Sequence, residues 1–369
     1  MATNDGKEDN LPMSAETTEQ GIAETKTAES QKETGDEISP EAARPKVPTQ
    51  AGSVDHGLIC WMQVAASFAM YWQVVLAQGL VVGLGCGLLF IPATGILPQY
   101  LVKKRALASL LAAAGSGFGG LIYPIIFREL QPNVGFGWAV RVIAFITLFV
   151  GIISNVLGRN KVPPGKPRKI VDMGFFKETA LVLVSAGAFF VFMGLFILGY
   201  YIGVYALDLR ITGNSMAFYL VALMQGSSLV SRVVLSPFAD KIGPLNIAIA
   251  AVFMSSILTF CWIAIKSEAG LIVFAVLYGC CFGIFLGMAP PAYISLMKGD
   301  IRKFGVYLAM GFLITSPGIL IGNQISGAIL RDDHTFVGLQ AFAGALLFVG
   351  GCLMISARWA SVGWKLCKV

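Results

Sequence analysis

The sequence predicts an all-α polytopic membrane protein, and three observations carry that prediction. Mean hydropathy is +0.73, with 56% hydrophobic and 13% charged residues, roughly half the ~25% charge of soluble domains. From Leu58 onward, apolar runs of about 20 residues recur between short polar breaks, each enough to cross a hydrocarbon layer of ~30 Å. The alternating segments of ~10 residues that build a membrane β-barrel are absent from the sequence.

The elements follow in order. Residues 1–54 are expected to form a disordered acidic cytoplasmic tail. Their first 50 positions hold 11 acidic and 5 basic side chains and almost no aromatic residue, too little apolar surface to fold. The tail lacks an apolar signal stretch, so no cleaved leader is expected. Spans are expected near 71–97, 106–127, 136–157, 180–205, 216–238, 245–265, 270–296, 304–330 and 337–357. Basic sets follow alternate spans: Lys103-Lys104-Arg105 the first, Arg159 to Lys177 the third, Lys241 the fifth, and Lys298, Arg302 and Lys303 the seventh. Lys365 and Lys368 close the chain. The loops between carry mixed charge: Arg128 with Glu129, Asp208 with Arg210, Lys266 with Glu268, and Arg331 with Asp332 and Asp333. The positive-inside rule places the basic loops in the cytoplasm.

That alternation exposes a defect at the start. Tyr71 would begin on the outer side, so something before it must cross. The candidate, Leu58 to Met70, has 13 residues and runs into Tyr71 without a polar turn; no charged side chain occurs between 57 and 102. Thirteen residues are too few for a crossing. The segment reads either as part of one long tilted helix or as two helix fragments joined where a larger piece is missing.

Other chemistry is sparse. The seven cysteines form no regular framework and read as small buried hydrophobes. His56 and His334 are the only histidines, so no metal site and no cofactor are expected. With no His cluster, Ser-His set or close pair of intramembrane carboxylates, an enzyme is not expected, and no Walker-type loop points to ATP. Nucleic acid is not an expected partner; the lipid bilayer is.

Several motifs appear in a fixed order: Leu76-Ala77-Gln78-Gly79 with Gly83-x-Gly85-x-Gly87, then Tyr100-x-x-Lys103-Lys104-Arg105, and Gly115-Ser116-x-x-Gly119-Gly120 with Tyr123-Pro124. Next come Gly135-Phe136-Gly137-Trp138-Ala139-x-Arg141, Ala239-Asp240-Lys241-Ile242-Gly243-Pro244, and Gly318-x-Leu320-Ile321-Gly322. In this order the chain resembles the monocarboxylate porter branch of the major facilitator superfamily, in its fungal form. The resemblance implies two six-helix halves around a central cavity, with the nine spans standing for helices 4 to 12. Asp55-His56-Gly57 through Met70 is similar to the opening of the family's first helix, which would leave the rest of helix 1 and helices 2 and 3 absent. The expected fold is therefore a major facilitator fold with an incomplete N-terminal half, about 9–10 helices instead of 12. Its parts would be that half at 55–157, a basic cytoplasmic linker at 158–178, and a six-helix C-terminal half at 179–369. A multi-pass protein of the plasma membrane is expected, with both termini of a full-length chain cytoplasmic.

Arg232, inside the apolar run of the fifth span, is the leading site residue. Three readings stand: it faces the cavity and contacts an anionic solute, it snorkels to the cytoplasmic surface, or it pairs with Asp240 eight residues on. The resemblance implies the first, since the family uses an arginine of its eighth helix as the substrate-anion contact. It also implies a departure, because Ser228 stands where mammalian members carry a proton-coupling aspartate. Gln78, Gln225, Ser228, Tyr123 and Asn323 are further cavity candidates, with Ser116, Tyr200, Tyr201 and Gln324 as weaker ones. Each also suits a helix–helix hydrogen bond. Asp240, Lys241 and Gly243 resemble the family's gating turn, whose carboxylate caps a neighbouring helix and holds one access state closed. The expected function is a secondary active transporter that moves a small organic acid or anionic secondary metabolite by alternating access, with a proton as candidate co-substrate. The alternatives are a metabolite efflux pump of a biosynthetic pathway and a non-transporting membrane protein, either a sensor or a partner subunit.

Overall fold

A backbone in lipid satisfies its own N–H and C=O groups only within a helix or a closed barrel, and here the long apolar runs become helices. The computed structural model describes residues 72–73, 75–100, 104–157, 171–297, 303–333 and 335–363. Every regular element among them is helical. The chain divides into two units after Gln73, and every long helix among the described residues belongs to the unit from Val74. The expected acidic tail, the Leu58–Met70 segment, the join at Tyr71 and most of the basic linker lie outside the described residues.

A π-helical stretch, Val75–Val81, leads into α1 (Val82–Tyr100). Next are α2 (Arg105–Leu157), the single turn α3 (Gly174–Lys177) and α4 (Thr179–Asp208). The rest are α5 (Asn214–Ile242), α6 (Pro244–Trp262), α7 (Glu268–Leu296), α8 (Phe304–Asp333) and α9 (Phe336–Val362). Among the described residues, seven helices are long and apolar enough to cross a membrane, with α2 counted once.

α2 is two expected spans folded on each other. Gly135 has φ 77° and ψ 165°, a region open essentially to glycine. Tyr123 and Thr147, 24 residues apart, meet through their hydroxyls at 3.3 Å, whereas a straight helix would hold them about 36 Å apart. The chain therefore doubles back at Gly135, and Phe127 packs edge-on against Phe136 across the bend. Arg128 and Glu129, expected in a loop, belong instead to the last turns of the first limb. The helix runs on through Pro132 to the glycine, because it is the positive φ of Gly135 and not Pro132 that breaks the helical geometry. The second limb leaves Phe145, Phe149 and Ile152 exposed, an apolar face suited to acyl chains.

Glycines set how closely the other helices approach. On α7, Gly279, Gly283 and Gly287 lie against Met224 and Ser228 of α5 and Leu110 of α2. A methyl group on Gly283 would come within 2.6 Å of the Ser228 carbonyl oxygen. Gly318 and Gly322 of α8 sit in the same way on Phe189 and Met193 of α4, and Gly187 and Gly194 of α4 on Gly350 and Ala343 of α9. Lipid supplies no hydrophobic drive between helices, so such small-residue faces provide the close packing that replaces it. Inside the C-terminal half, Trp262, Tyr278 and Phe285 are fully buried. At its basic end, Phe175 of α3 is buried edge-on to Tyr307, and Lys303 meets Asp172 at 2.7 Å. Hydrogen bonding to Asp172 holds the Lys303 amine above its ordinary pKa. α2 lies along α5 and α7, so the seam between the N-terminal and C-terminal helices runs through α2 and α5.

Candidate functional site

The fifth span keeps its charge inside the protein. Arg232 is 1% exposed and the only charged side chain among the described residues that is fully buried. Its Nε donates to the Gly283 carbonyl of α7 at 2.9 Å. Its Nη1 donates to the Ser116 hydroxyl of α2 at 2.8 Å and to the Ala113 carbonyl of the same helix. Of the three readings, snorkelling is ruled out by that burial. Pairing with Asp240 is ruled out too, because the Asp240 carboxylate is engaged elsewhere. An intramembrane guanidinium costs about 2.5–3.5 kcal/mol on insertion scales, and carbonyl and hydroxyl acceptors offset part of this. They leave the charge itself without a counter-ion among the described residues.

The acceptors of Arg232 are also cavity wall. A cavity of about 720 Å³ opens between α1, α2, α4, α7 and α8, and Ala113 and Ser116 line it. The rest of its wall is mainly apolar, with Phe90, Phe192, Phe196, Phe312 and the Pro290-Pro291 pair prominent. Thr94, Ser109 and Ser116 are its hydroxyls. The volume suits a drug-sized molecule, within the ~300–1,000 Å³ of ordinary ligand pockets.

The other expected contacts are distributed differently. Gln225 and Ser228 share a face of α5 with Arg232 and, like it, point into the seam between the helices. Gln225 lies over Gly120, and its Oε1 finds no hydrogen-bond partner among the described residues. Ser228 is buried beneath Gly283 with its hydroxyl likewise unpartnered. The Tyr123 hydroxyl accepts from Thr147 inside the α2 hairpin. Asn323 accepts from the Tyr201 hydroxyl through its backbone carbonyl at 3.3 Å, while its own Oδ1 is buried without a partner among the described residues. None of these four lines the cavity around Ser116, and neither does Arg232 itself, which lies behind the wall that Ala113 and Ser116 form. Gln78 falls in the π-helical stretch, and its side chain lies outside the described residues.

The turn after α5 makes a second cluster. Asp240 accepts from the backbone N–H groups of Ala106 and Leu107 at 3.1 and 3.2 Å. These are two of the donors that the first turn of α2 leaves without an intrahelical acceptor, and the carboxylate also opposes the positive end of the helix dipole. Gly243 is both C-cap of α5 and N-cap of α6, with φ 101°, so Pro244 can begin α6 at once. Lys241 is exposed in the last turn of α5, where a cation suits the dipole.

Sequence reasoning missed two features. At the opposite end of the α2–α5 seam, the Arg128 guanidinium donates to the Ser215 hydroxyl at 3.0 Å and lies over the rings of Phe218 and Tyr219 at 5.0 and 5.1 Å. Phe90 of α1 meets Phe312 of α8 edge-on, with ring centroids 5.4 Å apart. A phenylalanine in an apolar run carries no distinguishing signal. Arg128 carried one, but its neighbour Glu129 made the pair read as a loop.

Known proteins agree with this architecture. The Major Facilitator Superfamily pattern matches residues 57–323. The chain is 37% identical over 289 residues to the MFS-type transporter dbaD of Emericella nidulans, covering 78% of this chain and 65% of that one. It is 38% identical over 294 residues to the aspyridones efflux protein apdF of the same organism, covering 79% and 59%. With the agnestins efflux protein AgnL12 of Paecilomyces divaricatus the figures are 30% over 312 residues, 82% and 71%. The chain thus spans about 60–65% of the length of the first two relatives. On the family pattern, these relatives and the helical fold together, the chain belongs to the Major Facilitator Superfamily.

Proposed function

We propose that this chain is a secondary transporter that exports a mainly apolar metabolite bearing one anionic group, by alternating access. The observation that carries the proposal is Arg232, a buried cation without a counter-ion among the described residues, whose acceptors Ala113 and Ser116 form the wall of the cavity. A carboxylate or enolate that enters beside Ser116 supplies the missing negative charge through a charge-assisted hydrogen bond. The solute's remaining surface then meets phenylalanine and proline, which favours a larger apolar body over a short hydrophilic acid. Export is favoured by the aspyridones and agnestins efflux proteins, whose names give those molecules as what they expel. Asp240, Lys241 and Gly243 act in this proposal as the gate on the basic side. Ser228 cannot carry a proton as an aspartate would, so any proton coupling runs by another route. On this reading the protein belongs to the monocarboxylate porter branch and lacks the helices that would lie between Met70 and Tyr71.

The test is transport of labelled aromatic and aliphatic acids by membrane vesicles containing the chain, against an Arg232→Ala version present at equal level. Transport by the unmodified chain and its loss in the variant are expected. A chain that reaches the membrane yet moves no solute above background ends the transporter proposal and leaves the non-transporting alternative.

A further inference from the structure

The cavity has a feature that neither the family pattern nor Arg232 accounts for. Phe90 and Phe312 are 222 positions apart in sequence and meet edge-to-face, at 5.4 Å between centroids and 89° between planes. Aromatic pairs prefer this geometry because the positive edge of one ring faces the negative face of the other. The pair joins α1, an N-terminal helix, to α8 of the C-terminal half. Both rings line the cavity, and Phe90 remains 45% exposed, so the contact is open to a solute.

Depth places the pair beside Arg232's acceptors. On the end of the bundle that carries the basic loops, α1 finishes at Tyr100 and α8 begins at Phe304. Phe90 is ten residues before the first and Phe312 eight after the second, or about 15 and 12 Å in along the helices. Ser116 lies eleven residues into α2 from the same end, about 17 Å. Ile294 and Ser109 line the cavity nearer that end, whereas Cys86 and Phe196 line it farther in. The aromatic pair therefore stands partway along the cavity, a few ångströms nearer the basic end than the Ser116–Arg232 contact.

We infer that Phe90 and Phe312 form a selectivity gate: the rings hold α1 against α8 when the cavity is empty and exchange their mutual contact for the aromatic body of an acid whose anionic end lies at Ser116 and Arg232. The inference rests on the proposed transport function and adds to it a solute class, ring-bearing acids, and the two residues that select it. A short aliphatic acid reaches the charge but leaves the rings paired. A planar ring offers each phenylalanine a replacement partner.

The experiment uses the full chain in liposomes with Cys86, which lines the cavity, as its sole cysteine. An impermeant maleimide added from the basic-loop side measures access, with and without 2-naphthoate or acetate. Naphthoate is expected to slow labelling at least fivefold and acetate not at all. Phe90→Leu and Phe312→Leu keep apolar bulk without a ring; both are expected to label faster when empty and to lose naphthoate protection. Phe90→Tyr and Phe312→Tyr keep the ring and the protection. Equal protection in the leucine and tyrosine versions overturns the gate, as does an unchanged labelling rate without solute. Vesicle transport of the same two acids separates the failures: carriage of naphthoate with unaltered selectivity in the leucine versions sinks the gate alone, whereas no carriage by the unmodified chain sinks the transport reading with it.

Discussion

At the level of single residues, the guanidinium fork explains why Arg232 is arginine. Its donors reach Gly283 of α7 in one direction and Ala113 and Ser116 of α2 in another, a spread that an ammonium point charge cannot reproduce. Arg232→Lys should therefore keep the charge but leave at least one of these carbonyls unpaired, which costs about 1–3 kcal/mol. Transport is expected to fall roughly tenfold to a hundredfold, by the same free energy at 1.4 kcal/mol per factor of ten. Initial-rate measurements at matched protein level check this, and a lysine version that transports as well as arginine refutes the bridging role. Arg232 was legible in the sequence because a charge in an apolar run is costly and conspicuous. Its partners were not, since two of the three are backbone carbonyls, which every residue has. Asp240 shows the same limit: its carboxylate was readable as a cap, but that it caps α2 depends on helices more than 130 positions apart coming together.

Helices were the most legible level. Among the described residues hydropathy placed the spans from 136 onward within about five residues, because about 20 apolar residues in lipid have few alternatives to a helix. The first limb of α2, by contrast, runs past the expected 127 to the break at Gly135. Helix neighbours were not legible, since glycines that make contacts and glycines that make none look alike. Gly115 and Gly283 show the difference. A methyl group on Gly115 would meet nothing within 4 Å, while one on Gly283 would meet the backbone of Ser228 at 2.6–2.8 Å. Backbone atoms cannot swing aside, so Gly283→Ala has to push α5 away from α7 and displace the carbonyl that holds Arg232. A loss of about 1–3 kcal/mol is expected, as in other overpacked interiors. Gly115→Ala is expected to be neutral or to stabilise by up to about 1 kcal/mol, because alanine is the better helix former. Thermal unfolding of the two purified variants in detergent decides it, and equal melting temperatures would show that the glycine face of α7 is not what sets the α5–α7 spacing.

Across the whole molecule, the seam between α2 and α5 is tied at both ends by groups of different chemistry. At the basic end Asp240 holds the first turn of α2 by charge and hydrogen bonds; at the far end Arg128 holds the first turns of α5 by a hydroxyl and two rings. In the alternating cycle proposed above, both ends cannot stay closed throughout, so under that proposal the two ties oppose each other and weakening one should favour opening at its own end. Asp240→Asn keeps an oxygen acceptor but loses the charge that faces the helix dipole, an interaction worth about 0.3–1 kcal/mol. Arg128→Ala removes the cation–π contacts, worth about 0.5–2 kcal/mol depending on desolvation. With Cys86 as the only thiol and an impermeant reagent on the basic side, Asp240→Asn should raise the labelling rate and Arg128→Ala should lower it, each by about twofold to tenfold at those energies. The double variant should return toward the unmodified rate, because equilibria set by two distant contacts add. Rates that move in the same direction in both single variants would mean that the ties merely hold the fold together, since loosening a structural contact at either end would expose Cys86 alike.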